Sequence, residues 1–131
     1  AYAREREPGE LIERARGEGR ILLTRDRRLA ARRKIGPHVL IASDDLGAQL
    51  RQVIGEARLE PRREGIFRRC VECNRALVEV DYEQAAALVP PYVAATQERF
   101  HRCPSCGRIY WPATHPERAL RRLREWGIDV G

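Results

Sequence analysis

The chain has 131 residues and a mass of 15.1 kDa, room for one ordinary domain or two very small ones. Hydrophobic residues make up 43% and charged residues 34%, a balance that suits a folded chain better than a disordered one. No apolar run approaches the roughly 20 residues that span a bilayer, and no charged-then-apolar leader opens the chain. A membrane partner and a secretory route are therefore not expected, and a cytoplasmic location is.

The formal net charge is +6, and Lys34 is the one lysine among 25 basic residues. Arginine's planar fork suits phosphate and base recognition, so a basic chain built this way leans toward nucleic acid. A GC-rich coding bias that writes arginine wherever a basic residue is tolerated accounts for the same composition. The chain opens on Ala1 and contains no methionine, which suggests a piece of a longer protein.

Glu10–Glu18 carries Leu11, Ile12 and Ala15 on one helical face and runs into Gly17 and Gly19. Arg20–Thr24 is a short apolar run of strand length. Asp26 is placed to cap a helix reaching about Lys34, which Gly36 and Pro37 end. His38–Ala42 is a second apolar run, followed by Ser43, Asp44 and Asp45. Leu46, Leu50, Val53, Ile54 and Ala57 then keep the best helical period in the chain, closed by Pro61. Strand, helix, strand, helix predicts a right-handed βαβ unit with parallel strands. Both strands then end at one sheet edge, with Asp26 after the first and Asp44 and Asp45 after the second. Ligands of open α/β sheets gather at that edge, and clustered carboxylates there suit magnesium or manganese and phosphodiester hydrolysis. Equally, acids in these positions are the ordinary N-caps of the helices that follow. A parallel sheet of two strands also calls for cover that residues 1–60 do not supply.

Residues 61–69 form an arginine-rich connector. Cys70 and Cys73, then Cys103 and Cys106, give two Cys-x-x-Cys pairs with no cysteine left over, a strong tetrahedral zinc pattern. Asn74 and Gly107 follow the second cysteine of each pair, where a knuckle needs a residue that tolerates positive φ. Two disulfides are the competing account, disfavoured without a secretory leader. A closed shell of four thiolates leaves zinc no open position, so the ion is expected to be structural, and binding it turns the formal +6 into +4. His101 is not needed as a ligand.

Within the ribbon region, 70–115, Leu77–Val80 alternates as a strand, and Glu83–Leu88 reads as a short helix stopped by Pro90 and Pro91. Trp111 reads as packing against the ribbon rather than as a platform for a base. A final helix is expected from Pro116 within 116–131. Its Ala119, Leu120, Leu123 and Trp126 cover about 120°, with Arg118, Arg121 and Arg122 on the opposite side.

Taken together, Leu22–Arg27, Ser43-Asp44-Asp45 with Gln49-Leu50, Cys70–Asn74, Val89-Pro90-Pro91, and Cys103–Pro112 with His115 resemble the Mut-seven C-terminal RNase domain family. The resemblance runs in order along essentially the whole chain. It implies a PIN-like nuclease fold carrying a zinc ribbon, here an α/β fold with a truncated PIN-like parallel sheet, flanking helices and a C-terminal helix. It also implies metal-dependent RNA cleavage by a ring of acids holding Mg2+ or Mn2+. Asp26 matches the family's Thr-Arg-Asp aspartate, and Asp44 or Asp45 its later acid. The family's first acid lies on a strand that would precede Ala1. Its next acid falls near Pro8, so Glu10, or Glu7, would have to stand in. An upstream ubiquitin-like domain is a further expectation from the resemblance. RNA is the implied partner, with Arg25, Arg118, Arg121 and Arg122 as its contacts. A non-catalytic zinc-ribbon module that binds nucleic acid and a structural or interaction domain are the alternatives.

Overall fold

Pro8 begins the first helix in its first turn, where its missing N–H forfeits no bond, and Ile12 and Ala15 make its buried face: α1, Pro8–Gly17. The computed structural model describes residues 7–112 and 115–131. It divides into a first unit of Ala1–Pro61 with Glu125–Asp129 and a second of Arg62–Arg124 with Val130–Gly131.

In the first unit, β1 (Leu22–Thr24) and β2 (His38–Leu40) pair in parallel, Leu23 opposite Val39. They are joined through α2 (Arg27–Ala30), and β2 leads into α3 (Leu46–Glu56). This is the expected βαβα order. Ile12, Leu29 and Ile35 form its buried cluster, with Leu22 and Ala30 packed against them. The helix expected to reach Lys34 stops at Ala30. Its continuation would stack Arg28 on Arg32, like charges four apart that oppose a helix, whereas a turn brings Ile35 into the core at 6% exposure.

Among the described residues, the ladder binds only one edge of β1. The Leu22 amide donates to the Pro37 carbonyl (3.0 Å) and the Ile41 amide to the Thr24 carbonyl (2.8 Å), so the Leu23 peptide groups face the opposite side. Ile21 and Leu23 are 40% and 52% exposed. A concavity of about 720 Å³, lined by Leu11, Ala15, Ile21 and Leu23 among others, opens there.

The C-terminal residues depart from expectation. Helix α6 spans His115–Glu125, so Trp126 lies beyond it and extends no helical stripe. Its indole instead lies over Gly47 of α3, where a β-carbon would fall 2.7 Å from the ring. The Trp126 carbonyl accepts from the Arg51 guanidinium at 2.7 Å, and Ile128 is buried.

In the second unit, a 3-10 turn at Arg63–Gly65 lies in the basic connector. The antiparallel strands β3 (Val78–Val80), β4 (Phe100–Arg102) and β5 (Ile109–Tyr110) follow, in sheet order β3-β4-β5. Helix α4 is Tyr82–Ala86. A second short helix, α5, Pro91–Thr96, stands where the sequence shows only a proline stop. Pro91, with φ already set, stands in the first turn of this helix, where its missing N–H forfeits no bond. Ala85, Val93 and Phe100 form the core, with Val80, Val89, Ile109 and Trp111 packed on it. Trp111 meets Phe100 edge-on at 6.4 Å between ring centroids, the packing role expected of it.

Candidate functional site

The two knuckles share one backbone design. In the first, the Cys70 amide donates to the Arg75 carbonyl (2.9 Å) and the Asn74 amide to the Cys70 carbonyl (2.8 Å). In the second, Cys103 donates to Arg108 and Gly107 to Cys103, both at 2.9 Å. Asn74 and Gly107 take the positive φ that closing each loop requires, 53° and 76°. The turns aim four thiols inward, and their sulfurs all lie within 4.8 Å of one another. Zn–S bonds of about 2.3 Å in a tetrahedron require S···S separations of about 3.8 Å. Cys70 and Cys106 sit 3.7 Å apart, far beyond the roughly 2.05 Å of a disulfide, and all four cysteines are free. Cys70, Cys73, Cys103 and Cys106 are therefore placed to bind one zinc ion.

Burial differs among the four. Cys70 and Cys103 are buried, Cys73 is half-buried and Cys106 is exposed. Hydrogen bonding from the Tyr110 hydroxyl, helped by backbone amides, pulls the Cys70 thiol down to about 6. The Cys106 sulfur beside it, together with burial, pushes Cys73 up to about 11. The Cys106 backbone amide, foremost, lowers Cys103. Arginines ring the cluster: Arg69 donates to the Asn74 carbonyl at 2.8 Å, and Arg108 faces Glu72 at 3.8 Å. The end of the Arg102 guanidinium lies 3.3 Å from where a Gly107 β-carbon would sit. Four thiolates and one zinc carry a net charge of −2, which these cations offset.

Tyr110 was not singled out by sequence. Strand alternation places it opposite Ile109, off the apolar face, but nothing in the spacing reveals that it reaches a sulfur in the other knuckle.

The acidic residues lie at the ends of the parallel strands. Asp26 caps α2, its Oδ1 accepting from the amides of Arg28 (2.8 Å) and Leu29 (3.2 Å). Asp45 caps α3 through Oδ2, which accepts from the Ala48 amide at 2.7 Å. Asp44, 88% exposed, pairs through Oδ1 with Arg25 at 2.6 Å. That ion pair joins the segment after β1 to the segment after β2. Each cap uses one carboxylate oxygen, so Asp26 Oδ2 and Asp45 Oδ1 remain without a hydrogen bond among the described residues. Glu10 is exposed in the first turn of α1. Among the described residues, the cysteines alone gather as three or more metal-binding side chains. Asp26, Asp44, Asp45 and Glu10 form no such group.

Arg118, Arg121 and Arg122 are exposed along α6, and Ala119, Leu120 and Leu123 are half-buried. Among the described residues, no helix is long and apolar enough to cross a membrane.

A family model described as the Mut7-C RNAse domain matches residues 1–123. No curated protein and no solved structure matches the chain.

Proposed function

Because the chain belongs to the Mut7-C RNase domain family, for which a nuclease or RNA-related function follows, we propose that it is a divalent-metal-dependent ribonuclease domain whose zinc ribbon helps hold RNA. The observation that carries the proposal is the division of labour within the acids. Parallel pairing directs Asp26 and the Asp44–Asp45 pair to one sheet edge. There, Asp26 Oδ2 and Asp45 Oδ1 are left over after capping, so fixing a helix and binding a cation are compatible roles for the same side chain. Magnesium or manganese bound by Asp26, with Asp44 or Asp45 and Glu10, would supply charge neutralisation and an acidified water for phosphodiester hydrolysis. The capping bonds hold the carboxylates rigid. Arg25, anchored on Asp44, stands where a phosphate oxygen can exchange for that carboxylate. Zinc, held by the four cysteines, would fix the ribbon and carry no chemistry.

A second reading has its own support: Asp26 and Asp45 already serve as caps, and the acids gather no cluster of three. On that reading the domain binds RNA without cutting it. The deciding experiment compares RNA cleavage in magnesium or manganese by the 131-residue chain and by the same chain with any residues its reading frame encodes ahead of Ala1. The short chain is expected to bind RNA but cut poorly. The longer form is expected to cut, and to lose cutting on Asp26→Asn while staying folded. A longer form that is folded and metal-loaded yet inert on all single- and double-stranded RNA would leave the binding-module reading in its place.

A further inference from the structure

The two knuckles repeat each other bond for bond, and this near-symmetry isolates one residue that breaks it. Counting seven positions on from the first cysteine of each knuckle reaches Leu77 after Cys70 and Tyr110 after Cys103. Leu77 has no polar group to offer a sulfur. Tyr110 does: its hydroxyl lies 3.1 Å from the Cys70 sulfur, across the site in the other knuckle. Its oxygen also lies 3.2 Å from the Val71 amide nitrogen, which donates to it. A hydroxyl oxygen that accepts from an amide keeps its own hydrogen free, and a metal-bound thiolate can only accept. The Val71 amide therefore sets the rotor so that O–H points at Cys70. The ring is fixed at its other end, since β5 pairs with β4 and places Tyr110 opposite His101.

We propose that Tyr110 is a positioning residue of the metal centre, a strut from the second knuckle that donates a hydrogen bond to the Cys70 thiolate of the first. The inference rests on the reading of the four cysteines as a zinc site and adds to it which sulfur is held and by what. Outer-shell partners orient a ligand and tune its electronics, and losing one typically weakens metal binding by tenfold to a hundredfold. Among the described residues, no hydroxyl makes the equivalent hydrogen bond to Cys103, the matching cysteine of the second knuckle.

The test uses the full chain loaded with zinc, cobalt or cadmium-113. Tyr110→Phe keeps the ring and removes only the donor. It is expected to weaken zinc affinity about tenfold or more in chelator competition. In the cobalt-loaded protein it should move the sulfur-to-cobalt charge-transfer band to lower energy, because a thiolate that loses a hydrogen bond gives up charge more readily. Simple loosening of the fold would not move that band in a set direction. Should Tyr110→Phe fail to fold, the unsubstituted protein decides by itself. With cadmium-113 bound, the Tyr110 hydroxyl proton should exchange slowly and show coupling to the metal through the sulfur. An unshifted cobalt band in a folded Tyr110→Phe protein, whatever its affinity, or a hydroxyl proton with no coupling to cadmium, would overturn the proposal. A wild-type protein that binds no zinc would instead overturn the metal reading on which it rests.

Discussion

Asp26 commits one carboxylate oxygen to stability and leaves the other without a hydrogen bond among the described residues. Its Oδ1 takes two backbone amides at the start of α2, and caps of this kind contribute about 0.5–2 kcal/mol. Asp26→Ala should therefore lower unfolding free energy by about 1 kcal/mol, whereas Asp26→Asn, which keeps an oxygen in place, should change it much less. Urea titrations of the two variants check this, and equal losses would mean that the cap contributes little. The cysteines supply a second residue-scale expectation, in protons. Zinc requires four thiolates, and in the free protein Cys70, drawn down to about 6 chiefly by the Tyr110 hydroxyl, has already lost its proton at neutral pH. Cys73, pushed up to about 11 beside Cys106, has not. Zinc binding at pH 7.5 should consequently release fewer than four protons. As pH falls through 6, Cys70 becomes a thiol in the free protein, one more proton must leave, and affinity should fall more steeply. Calorimetry in buffers of different ionisation enthalpy counts those protons, and a constant release of four would contradict the assignment.

At the scale of elements, α3 depends on what is missing from it. Gly47 lacks a β-carbon where one would stand 2.7 Å from the Trp126 indole. In an open helix, Gly→Ala gains about 1 kcal/mol, but here overpacking should cost about 1–3 kcal/mol. Gly47→Ala is expected to destabilise the wild type. In a Trp126→Ala background the same change should be neutral or stabilising, a reversal of sign that a double-mutant cycle in urea detects. This contact also marks how far the sequence could be read. The βαβ order, the cap positions and both knuckles were legible because each rests on local signals: apolar runs, acids ahead of helices, Cys-x-x-Cys followed by Asn or Gly. The Trp126 contact with Gly47 and the reach of Tyr110 to Cys70 join residues far apart in sequence, and no period or spacing encodes them. Helix α5 was missed for a different reason: Pro91 is both a stop signal and a start signal. Among the acids, Asp26 and Asp45 are caps as their positions ahead of helices indicate, whereas which oxygen of each carboxylate the cap consumes is set by the fold and not by spacing.

For the whole molecule, metal and charge are the controlling quantities. The ribbon's own core is small, with Ala85, Val93 and Phe100 its fully enclosed members, and structural zinc contributes about 10–16 kcal/mol in small domains. Chelation should therefore unfold residues 70–111, seen as loss of amide protection in β3, β4 and β5, and adding zinc back should restore it. Charge sets the second expectation, which concerns RNA. The chain carries a formal +6, and α6 exposes Arg118, Arg121 and Arg122. Each phosphate neutralised on a single strand contributes about −0.7 to the slope of log K against log salt. If these three arginines each meet a phosphate, replacing all three with glutamine should make that slope shallower by about 2 and weaken binding alike across RNA sequences. The substitutions keep long, helix-compatible side chains, so α6 should persist by circular dichroism. A slope that stays the same would remove α6 from the RNA path and leave Arg25, held on Asp44 at the sheet edge, as the cation to test next.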